Sequence, residues 1–482
     1  MPRDSHKDLK PIKTPLFQRL AKDSASITVP ILMVGFSSAA LIAIGLVMVY
    51  SSSSYTSLIE AGNASGEAFK QVAFAIGGVL MACLMVKIGS EQNLKGWICL
   101  VSWAVCLALV LATLAMGTSA LGAQRWLVVG GVSLQASEFA KIALVLMGAR
   151  IVTEYRDGVL SSWQAVARFF GLVVAPLLLI LIAQSDLGTT VICGVALLVM
   201  VWMAGLRWQL VLGLVGVVAL GGGAMVAAMP YRMARLASFI DPWSDSTDTG
   251  YQLVHGLQAL ASGGLFGQGI GNSFEKMDYL PEAETDFIFS IIGEEMGFVG
   301  ALLVVVLFGV FLVGAFSIAN NSESTFGMLV ASSLGAMLVF QAFLNIMCNI
   351  GFAPITGKPL PFISSGGSSM VSSCIVMGII LAIGLQGRAS AREHARRRDN
   401  LHVVSARDDD LASGSVDSRY PEQYGSRTTR MEADVRQVRL AHPGRERASG
   451  AYRRGASVGG RRDAAEPSVV RRSVLRDDRN RR

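Results

Sequence analysis

Apolar runs of about twenty residues, separated by short polar segments, recur along the chain from Ile27 to Gly387. Each run is long enough, as a helix, to cross the hydrocarbon core of a bilayer. Inside lipid the backbone must satisfy its own hydrogen bonds, so only helices or closed barrels can span it. The runs fall at about 27–50, 69–88, 97–116, 137–153, 168–184, 187–205, 208–229, 286–317, 324–350 and 366–387. They predict an all-α polytopic membrane protein with about ten transmembrane helices. A composition of 52% hydrophobic and 16% charged residues excludes an ordinary soluble domain.

Charge sets the expected orientation. Residues 1–26 form a polar, basic segment, and the apolar run after it is too long for a signal-peptide core and lacks a small-residue cleavage site, so it reads as an uncleaved first span. With that end inside, Lys87, Lys95, Arg150, Arg156, Arg168 and Arg207 all fall on the cytoplasmic side, as the positive-inside rule requires. Both termini are then cytoplasmic, and 117–136, 230–285 and 351–365 lie outside. The long external loop 230–285 separates the seventh and eighth spans of a membrane domain covering 27–387. From residue 388 to 482 the chain turns polar, with 23 arginines against 14 carboxylates, and reads as a disordered cytoplasmic tail. Its arginines could hold anionic membrane lipid or a partner, or be merely solvated. Nothing in it carries base-reading chemistry, so no nucleic-acid partner is expected. The six cysteines, Cys83, Cys99, Cys106, Cys193, Cys348 and Cys374, sit in apolar segments without a CxxC pair and read as small buried hydrophobes.

A 56-residue external loop is far longer than most connections, which marks it as functional. Within it Leu253, Val254, Leu257 and Leu260 recur at helical spacing. That helix could lie in the membrane interface or pack on the bundle. The glycines at 263, 264, 267, 269 and 271 could cradle a phosphate or make a flexible turn.

Ionisable residues in spans are costly and so are candidates for function. Glu138 and Lys141, three apart, share a helical face and form either an ion pair or part of a site. Asp186, in a short turn between spans, could cap the next helix or act in a site. Asp286 stands where the long loop enters a span, after Thr285 and before Phe287 and Phe289; a half-dry setting raises a carboxylate's pKa and suits it to general-base work. Glu282 and Glu284 are expected to be more exposed, and Glu294 and Glu295 to pair with another helix. Lys358, with Ser364 and Ser368 near the start of the last span, offers a cation and hydroxyls suited to a diphosphate, or marks a simple re-entry of the chain. Only His255 lies outside the terminal segments, so the membrane domain cannot build a Ser-His-Asp or polyhistidine metal site.

Four stretches together resemble the SEDS family, the FtsW/RodA/SpoVE peptidoglycan polymerases. They are Tyr279-Leu-Pro-Glu-Ala-Glu-Thr-Asp286-Phe287; Leu360-Pro-Phe-Ile-Ser364 with Gly366-Gly-Ser368-Ser369; Arg125-Trp126 with Ser137-Glu138-x-x-Lys141; and Gln184-x-Asp186-x-Gly188-Thr189. The similarity covers about residues 27–388 in the same order, and among members the long polar tail resembles division proteins of the FtsW type. The resemblance implies a glycosyltransferase of the bacterial cytoplasmic membrane, acting at the division septum, that polymerises lipid II into glycan strands on the outer face. It implies a class B penicillin-binding protein and other divisome proteins as partners. Asp286 matches the catalytic aspartate, and Arg125, Glu138, Lys141, Asp186 and Lys358 match polar positions of a central cavity. Lys358, Arg125 or a divalent cation (Mg²⁺ or Mn²⁺) near the carboxylates could offset the charge of the leaving diphosphate. Glu284 replaces a frequent histidine, Ser185 and Ala136 a frequent proline, and Ser365 a frequent tyrosine. Two other classes compete: a lipid II flippase using the intramembrane charges, and a non-catalytic division scaffold acting through its tail.

Overall fold

A computed structural model describes residues 28–399, apart from 64, 117, 121–122, 130–131, 206–215, 217–232, 234–235, 237 and 245–249. The expected span at 208–229, the N-terminal segment and the tail beyond 399 fall outside the described residues. Eleven helices of eight or more residues are described. They are α1 (Thr28–Ala61), α2 (Gly66–Ile88), α3 (Cys99–Met116), α4 (Ala136–Arg156), α5 (Ser162–Phe169), α6 (Ala175–Ala183), α7 (Leu187–Met203), α8 (Tyr251–Ser262), α9 (Ile288–Asn320), α10 (Thr325–Asn349) and α11 (Gly367–Asp399). Among the described residues seven helical stretches are long and apolar enough to cross a membrane: Thr28–Ile59, Gly66–Ile88, Glu91–Ala115, Ser162–Ala183, Ile288–Asn320, Thr325–Asn349 and Gly367–Gly387. Two of these are joined through wide π-type turns, Leu94–Ile98 leading into α3 and Phe170–Val174 linking α5 to α6.

α4 and α7 join the bundle without meeting that standard. α7 has only 17 residues. α4 carries Glu138, Lys141, Arg150, Glu154 and Arg156, and it escapes the cost of charge in lipid by being enclosed: from Ala136 to Ala149 every residue but Phe139 is buried. The bundle is layered around α10, which packs against α9, α7, α11 and α4, while α11 lies along α2 and α9 along α1.

Several boundaries differ from the sequence expectation for local reasons. α1 runs on through Ser51–Ser54 because the hydroxyls of Ser52, Ser53 and Ser54 are absorbed within the helix, as where Ser53 Oγ donates to the Val49 carbonyl at 2.7 Å, while Ser51 Oγ bonds outward to Glu295. α11 continues to Asp399, so the change at Gly387 marks the end of apolarity and not of the helix. The connection expected at 117–136 contains an antiparallel sheet of β1 (Thr118–Ala120), β2 (Ala123–Val129) and β3 (Val132–Gln135), ordered β1-β2-β3. Trp126 pairs with Gln135 and Val129 with Val132. The Gly130-Gly131 between them in sequence is a two-residue hairpin signal. Cys83 is exposed on α2, contrary to expectation, whereas the other five cysteines are buried.

α8 is a helix packed on the bundle: Leu253, Val254, Gly256 and Ala259 are buried, and its main partner is α9. The glycine-rich segment after it is tied by its backbone to α9. α9 breaks at Gly297, whose φ of 69° and ψ of −170° are open essentially to glycine alone. The break leaves backbone groups that the 264–269 segment satisfies. Gln268 N and Gly269 N donate to the Glu294 and Glu295 carbonyls at 2.9 and 3.0 Å, while Phe298 N and Val299 N donate to those of Gly264 and Leu265 at 2.9 and 3.1 Å. A Cβ on Gly267 would stand 2.1 Å from the Glu295 carbonyl oxygen, so contact this close requires its absence.

Candidate active site

The N-termini of α4, α7, α9 and α11 and the C-terminus of α10 meet at one end of the bundle, and the polar residues singled out in the sequence are gathered there. Asp186 precedes α7 and accepts from the Thr189 backbone N–H at 3.0 Å, so it is the helix cap. It is also more than a cap. Lys358, 172 residues away, donates to Asp186 Oδ2 at 2.8 Å and to Thr189 Oγ1 at 2.7 Å, and Ser137 Oγ donates to the same carboxylate at 3.0 Å. Asp186 is 2% and Lys358 3% exposed, so the pair is dry. Burial alone would raise the Asp186 pKa, but the Lys358 ammonium and the Thr189 donors outweigh it and hold the carboxyl well below its usual range. The Lys358 stem lies over Gly188, where a Cβ would come within 2.9 Å of its Cγ and Cε.

A second buried pair adjoins the first, since Glu138 follows Ser137. Lys141 Nζ donates to Glu138 Oε1 at 2.9 Å and to Gln341 Oε1 at 2.5 Å, and Ser372 Oγ donates to Glu138 Oε2 at 3.1 Å. Gln341 Nε2 in turn donates to the Pro359 carbonyl at 3.0 Å, which ties this pair to the loop carrying Lys358.

Asp286 is half-buried at the mouth of α9. Its carbonyl accepts from Asn345 Nδ2 at 2.8 Å and from Asn349 Nδ2 at 2.9 Å, and Asn345 Nδ2 also donates to the Lys358 carbonyl at 2.8 Å. One buried amide therefore joins the backbone of Asp286 to that of Lys358. The Asp286 carboxylate faces Gly357, whose missing Cβ would lie 3.4 Å from Oδ2.

Ser364 and Ser368 act as ties within this end of the bundle. Ser364 Oγ accepts from Leu360 N at 2.7 Å and donates to the Thr285 carbonyl at 2.6 Å, one residue before Asp286. Ser368 Oγ accepts from Gln135 N at 3.0 Å and donates to the Ser133 carbonyl at 3.4 Å, fastening β3 to the start of α11. Arg125 lies on β2 beside Trp126, which pairs with Gln135; its side chain is outside the described residues. Glu282 is exposed and Glu284 half-buried. Glu294 and Glu295 find partners mainly on the preceding loop: Ser273 Oγ donates to Glu294 Oε2 at 2.5 Å, Lys276 Nζ to Glu295 Oε1 at 2.8 Å, and Ser51 Oγ of α1 to Glu295 at 2.7 Å.

The cation roles expected of Lys358 and Lys141 are thus largely committed to carboxylates, although an ammonium has three protons and each lysine shows two polar partners here. Among the described residues no three His, Cys, Asp or Glu side chains come together, and Asp186 and Glu138 each already hold a lysine, so a divalent cation here would be held by Asp286 together with oxygens of the substrate diphosphate. The residues missed in the sequence are Asn345, Asn349 and Gln341. Their signal was a polar stripe at four-residue spacing along one face of an apolar span.

The FtsW/RodA/SpoVE family profile, described as "Cell cycle protein", matches residues 32–389. The probable peptidoglycan glycosyltransferase FtsW of Marinobacter nauticus is 34% identical over 394 residues, covering 81% of this chain and 97% of its own. Stage V sporulation protein E of Bacillus subtilis is 34% identical over 352 residues, covering 72% of this chain and 95% of its own. Among solved structures, a chain of a peptidoglycan synthase complex that coordinates polymerization and crosslinking superposes with a TM-score of 0.58 at 27% identity, covering 73% of this chain and 97% of that one. The rod shape determining protein RodA of Thermus thermophilus gives 0.54 at 25% identity, covering 74% and 96%. The match spans the membrane bundle and every described polar cluster at its site end, and the chain belongs to the FtsW/RodA/SpoVE (SEDS) family of multi-pass membrane proteins.

Proposed function

We propose that this protein is a peptidoglycan glycosyltransferase that polymerises lipid II on the outer face of the bacterial cytoplasmic membrane, with Asp286 as general base. The observation that carries this reading is the clamp on Asp286. Two buried amides hold its backbone, one of them also holds Lys358, and the half-buried carboxylate faces Gly357. Asp286 Oδ takes the proton from the acceptor sugar's hydroxyl as that oxygen bonds to the donor's anomeric carbon, and the bond to the lipid diphosphate breaks. The lipid diphosphate departs with the bonding electron pair toward four helix N-termini, with Arg125 on the adjoining sheet; Lys358 and Lys141, neutralised by Asp186 and Glu138, contribute their remaining N–H groups rather than net charge.

A ten-span topology, of which seven spans lie among the described residues, supports an outer location for this end. The opposite end carries Lys95, Arg150 and Arg168, paired with Asp157 and Glu154, and the positive-inside rule assigns it to the cytoplasm, together with both termini. A class B penicillin-binding protein is the proposed partner, because the related synthase complex couples polymerization to crosslinking. FtsW-named relatives and the polar tail favour a role at the division septum. The flippase reading draws less support, since the intramembrane charges are closed into ion pairs at one end. The scaffold reading rests on the tail alone.

Purified full-length protein, with its penicillin-binding partner and lipid II, should form glycan strands, and a chelator arm reads whether a divalent cation takes part. Asp286→Ala should lower the rate by about 100-fold or more. Wild-type rates in that variant would remove Asp286 from the mechanism.

A further inference from the structure

Ahead of Asp286, four rings are assembled at the loop surface. Phe274 and Tyr279 stack with centroids 4.8 Å apart and planes 21° from parallel. Tyr279 is 6.3 Å from His255, which lies 4.2 Å from Tyr251 on the same helix. A stacked aromatic pair would ordinarily be hidden, yet Phe274 is 56% and Tyr279 43% exposed. Their support is rigid. His255 Nδ1 and Glu275 Oε2 are 2.7 Å apart, Leu280 N donates to the Glu275 carbonyl at 2.8 Å, and Leu280 is buried. Asp278 and Glu282 flank the Tyr279 turn with φ of 70° and 58°, a conformation uncommon for residues with side chains and a frequent companion of functional sites. The helix bearing His255 is seated on the residue after Asp286: a Cβ on Gly256 would stand 2.8 Å from Phe287 Cδ1.

We propose that Phe274 and Tyr279, backed by His255 and Glu275, form a stacking platform for the saccharide chain beyond the reacting sugar. This rests on the polymerase reading. A pyranose presents one face made of C–H groups and a rim of hydroxyls. The rings match the face, and the His255–Glu275 pair with exposed Asp278 supplies acceptors and donors for the rim. Lipid is the competing occupant, but carboxylates around the rings disfavour it. The neighbouring Leu265, Phe266 and Ile270, at 66, 81 and 59% exposed, are the residues better suited to lipid.

The first measurement is the length of strands made from lipid II by the full chain with its penicillin-binding partner. The double variant Phe274→Ala/Tyr279→Ala should shorten them about threefold or more, and Tyr279→Trp, which keeps a stacking face, should restore length. The second uses a lipid-free tetrasaccharide of the strand repeat, titrated against Asp286→Ala protein by saturation-transfer NMR. Adding the double substitution to that background should weaken binding by roughly threefold to tenfold. Strands of wild-type length together with unchanged tetrasaccharide binding overturn the proposal. So does quenching of the Trp introduced at 279 by brominated lipids, which would put the platform in the membrane. If wild-type protein makes no strands yet binds the tetrasaccharide through these rings, the activity reading falls and the platform stands.

Discussion

Lys358 and Asp186 show how one residue's role depends on what encloses it. The pair is buried, so removing one partner strands a charge without water. Lys358→Met should cost about 3–5 kcal/mol of stability, seen as a lower Tm in detergent, while Asp186→Asn/Lys358→Met should recover most of that loss without restoring strand synthesis. The sign of the pH effect follows from the lowered Asp186 pKa. Its contribution is complete above the unfolded value, near 3.9, and is lost only as pH falls through the still lower folded one. The pair should therefore hold from pH 7 to pH 5, and the Tm difference between wild type and Asp186→Asn/Lys358→Met should stay constant over that range. Asn345 acts through others. Asn345→Leu deprives the Asp286 and Lys358 carbonyls of a donor, which costs about 1–3 kcal/mol, and it should lower kcat more than it changes KM. The sequence singled out Asp186 as an ionisable residue in a short turn between spans and Lys358 as a cation beside hydroxyls near the start of the last span. It could not join them, since no spacing rule links residues 172 positions apart.

At the scale of elements, the break in α9 is the least ordinary feature. Gly297→Ala would place a side chain in a backbone region costing about 1–3 kcal/mol, with its Cβ 2.3 Å from Gly267 N. A marked drop in Tm and faster amide exchange across 264–269 are expected. Gly309→Ala, on the same helix with no atom within 4 Å of the added Cβ, should leave Tm unchanged or slightly higher. The glycine run and the Gly-Glu-Glu-Met-Gly stretch were both visible in the sequence. That they answer each other was not, because a broken helix becomes tolerable only when another segment supplies its missing hydrogen bonds. The small sheet escaped notice for a different reason: its strands are three to seven residues long and carry little hydrophobic alternation of their own.

For the molecule as a whole, the site is built from residues between Ser51 and Ser372, on helices that start or end at one face. Removing residues 400–482 should therefore leave strand synthesis by the purified protein within about twofold of wild type, as a tail without apolar periodicity adds nothing to a packed core. If deleting residues 389–482 abolished cell division while Asp286→Ala did not, the scaffold reading would replace the enzyme. The sequence by itself determined which segments are long and apolar enough to enter lipid, seven of them helical among the described residues, and which charges are out of place there, because the transfer energy of about twenty residues is a local property, summed before any tertiary contact forms. Tertiary structure alone decided that α4 could carry its charges, that Lys358 would answer Asp186, and that two asparagines would hold the proposed base. Those outcomes depend on dry contacts between distant segments, where each polar group must find a partner that only packing supplies.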